Sequence, residues 1–335
     1  MHDSVLAGIA VILAAGVFQG SFMFPAKGMK GWAWENYWLI FATVAYLISP
    51  WVLAVMTIPR LADVYSGASA GTVAALAGFG TAWGVGALTF GLGVDAVGLA
   101  LGFAVILGVA ASAGAIIPLV FQPPSHLTAG QIALTAAAIV IMLAGVAVCS
   151  FAGKWKEEGR GSGSYLTGIL ICIVSGLLSS GGNLGFVFGS QIATRAQAAG
   201  APHEWAGNAI WALLAIPLFM CNAGYSLVLL VRRGTLGAYR VPGSGRRFVL
   251  GLLMGIMWMA GMSLYGVGAR RMGKLGVSLG WAILMSSTVL VANLLGLVAG
   301  EWKGSPPGSR RRLAVGLGLL LVAIAALGCA NELAQ

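Results

Sequence analysis

Apolar stretches of about 20 residues recur from one end of the chain to the other, and nearly all charges fall between them. That length is what an α-helix needs to cross a hydrocarbon core. In lipid the backbone must satisfy its own hydrogen bonds, which leaves only helices and closed barrels. A barrel would show ~10-residue segments of alternating hydrophobicity, and none is present. Composition narrows the choice further. Only 8% of the 335 residues are charged and 59% are hydrophobic, whereas a soluble domain is about 25% charged. A water-facing surface cannot be built from this chain, so a soluble enzyme, a disordered tail protein and a single-anchor protein are excluded. The fold class is an all-α, multi-pass membrane protein embedded in a lipid bilayer.

The apolar runs predict ten transmembrane helices at about 4–24, 35–58, 70–92, 97–121, 129–151, 165–190, 204–231, 247–268, 275–299 and 312–331. The 51 glycines suit helices that approach closely, because lipid supplies no hydrophobic drive for helix association. Gly84, Gly86, Gly91, Gly93, Gly181 and Gly182 are not a phosphate loop, since no Lys-Ser/Thr follows them. All four cysteines lie in apolar runs without CxxC spacing and read as small buried hydrophobes. The three histidines (His2, His126, His203) sit near segment ends and form no HExxH, so neither a metal nor a cofactor is expected.

The chain also repeats itself. Trp83, Phe90, Gly91 and Gly93 match Trp258, Tyr265, Gly266 and Gly268 at identical spacing, and Gly98…Gly102 matches Gly276…Gly280 after a three-residue insertion. Two halves, 1–155 and 156–335, would then hold five helices each and together make one transmembrane domain. An odd number of spans forces the second half to sit inverted relative to the first. Such inverted repeats are characteristic of secondary transporters, whose substrate sites lie near the bilayer midplane between the repeats.

Lysines and arginines alternate in abundance: 14 of the 19 fall in the odd-numbered loops. The net charge of +10 therefore reads as a topology signal and not as a nucleic-acid surface. The positive-inside rule puts the odd loops in the cytoplasm and both termini in the periplasm. Arg270, Arg271 and Lys274 run against that count.

Glu35 is the most informative acidic residue, set among Trp32, Trp34, Tyr37 and Trp38 at the start of an apolar run. A carboxylate desolvated among indoles is pushed toward its neutral form, which is what a proton-coupling group requires. The same carboxylate would equally serve a helix dipole in the first turn. Glu204 holds the corresponding place in the second half, where a cap is the simpler role. Lys27 and Arg195 precede these glutamates by eight and nine residues. Each is a candidate gating ion-pair partner or a snorkelling end residue.

Few polar side chains lie within spans. Gln19, Asn183 and Asn208, with the aromatic faces of Trp83, Trp258 and Tyr265, form a set suited to a neutral polyol. Amides bond hydroxyls while a ring stacks on the C–H face of a sugar. Interhelical hydrogen bonding is the alternative use of each amide taken singly. No fixed mid-depth charge is present to hold an ionic substrate, and no nucleophile–base set indicates an intramembrane enzyme.

Taken together, Phe24-Pro25-Ala26-Lys27, Trp32-Ala33-Trp34-Glu35, Trp83-Gly84-Val85-Gly86…Gly91, Trp258…Tyr265-Gly266 and Glu301-Trp302 resemble the L-rhamnose/proton symporter family of the drug/metabolite transporter superfamily. The resemblance runs from helix 1 to helix 10. It implies ten helices in two inverted five-helix repeats, a bacterial inner-membrane location, and proton-driven uptake of a sugar such as L-rhamnose. It also implies a role for Glu35. The chain departs from the pattern near Gly261 and Val277-Ser278-Leu279-Gly280, where it is smaller and more apolar. The expected function is proton-coupled uptake of a neutral monosaccharide by alternating access, with metabolite export or exchange as the alternative.

Overall fold

The computed structural model describes residues 2–97, 99–121, 128–154 and 165–332, and among these there are helices and turns but no strand. His126 and the 155/156 boundary between the two expected halves lie outside the described residues. Among the described residues ten helices are long and apolar enough to span a membrane: α1 Val5–Gly28, α2 Trp34–Thr57, α3 Ala70–Val94, α4 Gly102–Phe121, α5 Ala129–Ala152, α6 Leu166–Ala198, α7 Asn208–Arg233, α8 Ser244–Arg271, α9 Gly276–Val298 and α10 Pro307–Asn331. A six-residue helix, Leu61–Ser66, caps the turn between α2 and α3.

Two ends differ from the sequence reading. The predicted sixth helix stops at 190, but α6 runs on to Ala198 through mild turns at Ser180 and Gly189. The added segment, Ser190–Ala198, is polar enough to look like a loop, yet its Ala, Gln and Arg residues are good helix formers. The seventh helix begins at Asn208 and not at Glu204. Tight turns hold 202–208, with the Trp205 N–H on the Pro202 carbonyl and the Asn208 N–H on the Trp205 carbonyl.

The packing interleaves the chain's two halves. Helix α1 lies against α8 and α9, while α6 lies against α3 and α4; α2 meets α7, and α5 meets α10. Close approach depends on glycine. A Cβ on Gly16 would sit 2.0 Å from Ser287 Oγ, and one on Gly86 would sit 2.7 Å from the Ser179 backbone nitrogen. With no hydrophobic drive between helices in lipid, contact area at such crossings is what holds the bundle.

Helix α2 carries a π-turn over Thr43–Ile48, just before Pro50. Proline has no N–H to continue the ladder, and the wider turn absorbs the mismatch. The consequence is local but useful. Phe41 and Tyr46, five residues apart, face the same way, with ring centroids 5.3 Å apart, and both pack on Trp258.

One reading of the cysteines is corrected. Cys149 and Cys172 are buried and Cys221 is half-buried, but Cys329 is exposed on α10. Inside a membrane span the protein interior and the lipid are both apolar, so composition cannot separate buried from lipid-facing positions.

Candidate functional site

The centre of the bundle is aromatic. Trp83, midway along α3, and Trp258, midway along α8, face each other with centroids 5.5 Å apart. Trp83 also packs on Trp211 of α7, which stacks on Phe186 of α6 at 4.7 Å and 21°. Tyr265, fully buried on α8, touches Phe186, Trp211 and Trp281. Glycine makes room for this arrangement: a Cβ on Gly182 would lie 2.9 Å from the Trp83 ring.

Amides lace the cluster. Tyr265 donates its hydroxyl to Asn183 Oδ1 (2.5 Å) and lies 2.8 Å from the Val277 carbonyl. Asn183 Nδ2 donates to the Gly114 carbonyl at 2.8 Å and the Val277 carbonyl at 3.3 Å. Gln19 Nε2 donates to the Trp258 carbonyl at 2.7 Å, fixing α1 against α8. Against this well-bonded background one donor stands out. Trp211 Nε1 is buried and, among the described residues, has no hydrogen-bond partner. An unpaired buried N–H costs about 1–3 kcal/mol, so a hydroxyl that reaches it recovers energy.

The structure thus joins Gln19, Trp83, Asn183, Trp258 and Tyr265 in one cluster. Asn208 is used elsewhere. Its Nδ2 donates to Thr57 Oγ1 at 3.1 Å and its Oδ1 accepts from Ser263 Oγ at 2.7 Å, tying α7 to α2 and α8. Trp211 lies one turn further along the same helix face.

Both ends of the cluster are closed by polar ties. At one end Glu35, with no exposed surface, accepts from Arg233 Nη1 at 3.1 Å and Thr235 Oγ1 at 3.0 Å. Asn36 donates to the Thr235 carbonyl and Trp32 to the Ala238 carbonyl, both at 3.0 Å, and Tyr239 donates to the Asn36 carbonyl at 2.9 Å. Burial, with a further push from the Glu35 charge, raises the Tyr239 phenol above its ordinary value, although the hydrogen bond to Asn36 opposes them. At the other end Glu204 pairs with Arg271 at 3.2 Å, and Arg270 donates to the His203 carbonyl at 2.6 Å.

The two expected gating cations do not pair with the expected glutamates. Lys27 pairs with Glu301, and Arg195 donates to the backbone carbonyls of Val64 (2.9 Å) and Asp63 (3.1 Å). Lys27 lies in the last turn of α1 and Arg195 in the last turn of α6, so sequence nearness to a glutamate said little about contact. Arg233, Thr235, Tyr239, Phe186 and Tyr46 were not singled out from the sequence. The Arg232-Arg233 pair registered there only as topology charge.

Ten apolar helices around a mid-span aromatic and amide cluster, closed at each end by polar ties, define a multi-pass membrane carrier. The comparisons with known proteins agree. The chain matches the family described as RhaT, L-rhamnose-proton symport protein, over residues 1–333, and it belongs to that family. Its relatives include the L-rhamnose-proton symporter of Salmonella paratyphi A, 25% identical and covering 97% of each chain. Those of Yersinia pestis and Yersinia pseudotuberculosis are each 24% identical over 98% of both chains. A solved crystal structure shares the fold at a TM-score of 0.60 and 14% identity, covering 96% of this chain and 97% of the other.

Proposed function

We propose that this protein carries out proton-coupled uptake of L-rhamnose, or a closely related neutral sugar, across the bacterial inner membrane by alternating access. The observation that carries the reading is the central cluster. The unpaired Trp211 N–H, the Asn183–Tyr265 pair and the Trp83 and Trp258 faces offer a polyol both hydrogen bonds and stacking surfaces. Gln19 holds the α1 wall of that site and Asn208 stands at its rim. Membership of a family described by rhamnose–proton symport, and relatives bearing that name, support the same cargo.

The two halves act as inverted repeats. Trp83 and Trp258, equivalent in the internal alignment, meet at the centre. Phe90 packs edge-on against Phe103, and the equivalent Tyr265 packs edge-on against the equivalent Trp281. Helix α1 on α8 is likewise answered by α6 on α3. These pairings support rocking of one repeat against the other around a fixed midplane site. The odd-numbered loops face the cytoplasm and both termini the periplasm.

Glu35 carries the proton. Its charge is satisfied by Arg233 and Thr235 across the α2–α7 contact, so protonation removes the ion pair that fastens that end. Sugar and proton then favour one another reciprocally, each binding better to the form the other selects. Glu204 with Arg271 plays the lesser part at the opposite end, while Lys27 and Arg195 fasten neighbouring turns.

The test is the transient current from the purified protein in liposomes when L-rhamnose is added without a membrane potential, at two pH values. An inward, pH-dependent current that E35Q abolishes is the expected result. Sugar exchange without any proton current would overturn symport and favour the exchanger reading.

A further inference from the structure

The end of the bundle that holds Glu35 has a second polar feature, which the transport cycle leaves unused. A cavity of about 450 Å³ opens between the end of α1 with the turn that follows and the start of α8. Its lining residues are Lys27, Gly28, Lys30, Gly243, Arg246 and Arg247. Four of these six are cations, and the carboxylate in contact with them is Glu301, through Lys27.

The local chemistry is unfavourable as it stands. Arg246 and Arg247 occupy the first turn of α8, which contains no acidic residue. Cations at a helix N-terminus oppose the helix dipole, and the unsatisfied N–H groups there favour an anion. Arg247 Nη1 is moreover buried without a hydrogen-bond partner among the described residues. Both guanidinium groups lie against the turn: a Cβ on Gly31 would be 3.5 Å from Arg247 Nη2, and one on Gly28 would be 3.9 Å from Arg246 Nη2, ordinary contact distances. Folding alone gains nothing from gathering four like charges around a cavity at a positive helix end. Bound negative charge would resolve every one of these conflicts.

The position identifies the anion's source. The cavity lies where α1 ends and α8 begins, at the ends of two apolar spans. Met23 and Phe24 are exposed one turn before Lys27, whose ammonium lies 5.1 Å from the Phe24 ring, and Val249, Leu252 and Leu253 are exposed on the first turns of α8. We propose that Lys27, Lys30, Arg246 and Arg247 form a binding site for the phosphodiester of an anionic phospholipid, whose acyl chains run along those apolar side chains. Basic pockets between spans are suited to such headgroups. The lipid would brace the α1–α2 turn of one half against α8 of the other, beside the Glu35–Arg233 tie.

Native mass spectrometry of the full-length protein in detergent tests the site with dioctanoyl phosphatidylglycerol and dioctanoyl phosphatidylcholine as probes. Saturable one-to-one binding of phosphatidylglycerol, at least tenfold tighter than phosphatidylcholine, is expected. R246Q/R247Q should weaken it tenfold or more, while R232Q/R311Q, which removes equal charge elsewhere, should leave it unchanged. K30Q, in an exposed turn where folding is not at stake, should weaken it about threefold and decides the matter if the double arginine variant does not fold. Equal binding of the two lipids, or equal losses in both double variants, would overturn the proposal. Displacement of the lipid by inorganic phosphate or glycerol 3-phosphate at matching concentration would assign the cavity to a soluble anion instead.

Discussion

Two glutamate–arginine pairs close the two ends of this bundle, and they are not equivalent. Glu35 is fully buried and both of its oxygens are engaged, by Arg233 and Thr235. Glu204 and Arg271 form their pair with 37% and 39% of their side chains exposed. Water screens the second pair, and an exposed pair of that kind contributes only about 0–1 kcal/mol. The first cannot exchange its partner for water on the carboxylate side. The same two residue types therefore make a buried tie at one end and a surface tie at the other.

The largest effect expected is on coupling. In E35Q the accumulation of L-rhamnose against its gradient should fall to the equilibrium ratio, while counterflow exchange of labelled sugar persists. Retained uphill accumulation in that variant would place the proton elsewhere. R233Q should cost the most stability, because it leaves a buried carboxylate with Thr235 alone, a loss of about 3 kcal/mol, at the low end for a buried pair because the arginine is half exposed. Arg233 itself is 57% exposed, so E35Q leaves no buried charge and should lower the melting temperature less. Equal melting temperatures for the two variants would remove the asymmetry argued above.

Y265F supplies an intermediate benchmark in the centre. It leaves Asn183 Oδ1 buried without its donor, worth about 1–3 kcal/mol, and should raise the half-saturation sugar concentration measured in liposomes. E204Q and R271Q should be the mildest, each under about 1 kcal/mol by thermal unfolding, with sugar accumulation retained. A loss of coupling in E204Q as severe as in E35Q would make the two ends equivalent after all.

Much of the central cluster was legible in the sequence because polar residues are scarce within the spans. Gln19, Asn183, Trp83, Trp258 and Tyr265 stood out against an apolar background, and they meet in the structure. Asn208 stood out for the same reason but serves as a strut between Thr57 and Ser263. A mid-span amide has the same composition signal whether it meets a ligand or a neighbouring helix. Lys27 and Arg195 were placed beside glutamates by chain distance alone, and neither makes that contact. Arg270 and Arg271, which run against the positive-inside count, hold the Glu204 end through the His203 carbonyl and the Glu204 carboxylate. Their position has a structural use that a topology count cannot register.

What the sequence alone determined was the solvent and the element: lipid on the outside, helices within, ten of them. The reason is that hydrocarbon penalises every unsatisfied backbone group and every unpaired charge, so composition and run length leave almost no freedom. Only the tertiary structure decided which partners meet. Glu35 faces Arg233 some two hundred residues away, Trp211 is left with an N–H unpaired among the described residues, and Arg247 lines a basic cavity. Those pairings arise from how α2, α7 and α8 cross, and crossings between apolar helices are set by shape, which leaves no periodic mark along the chain.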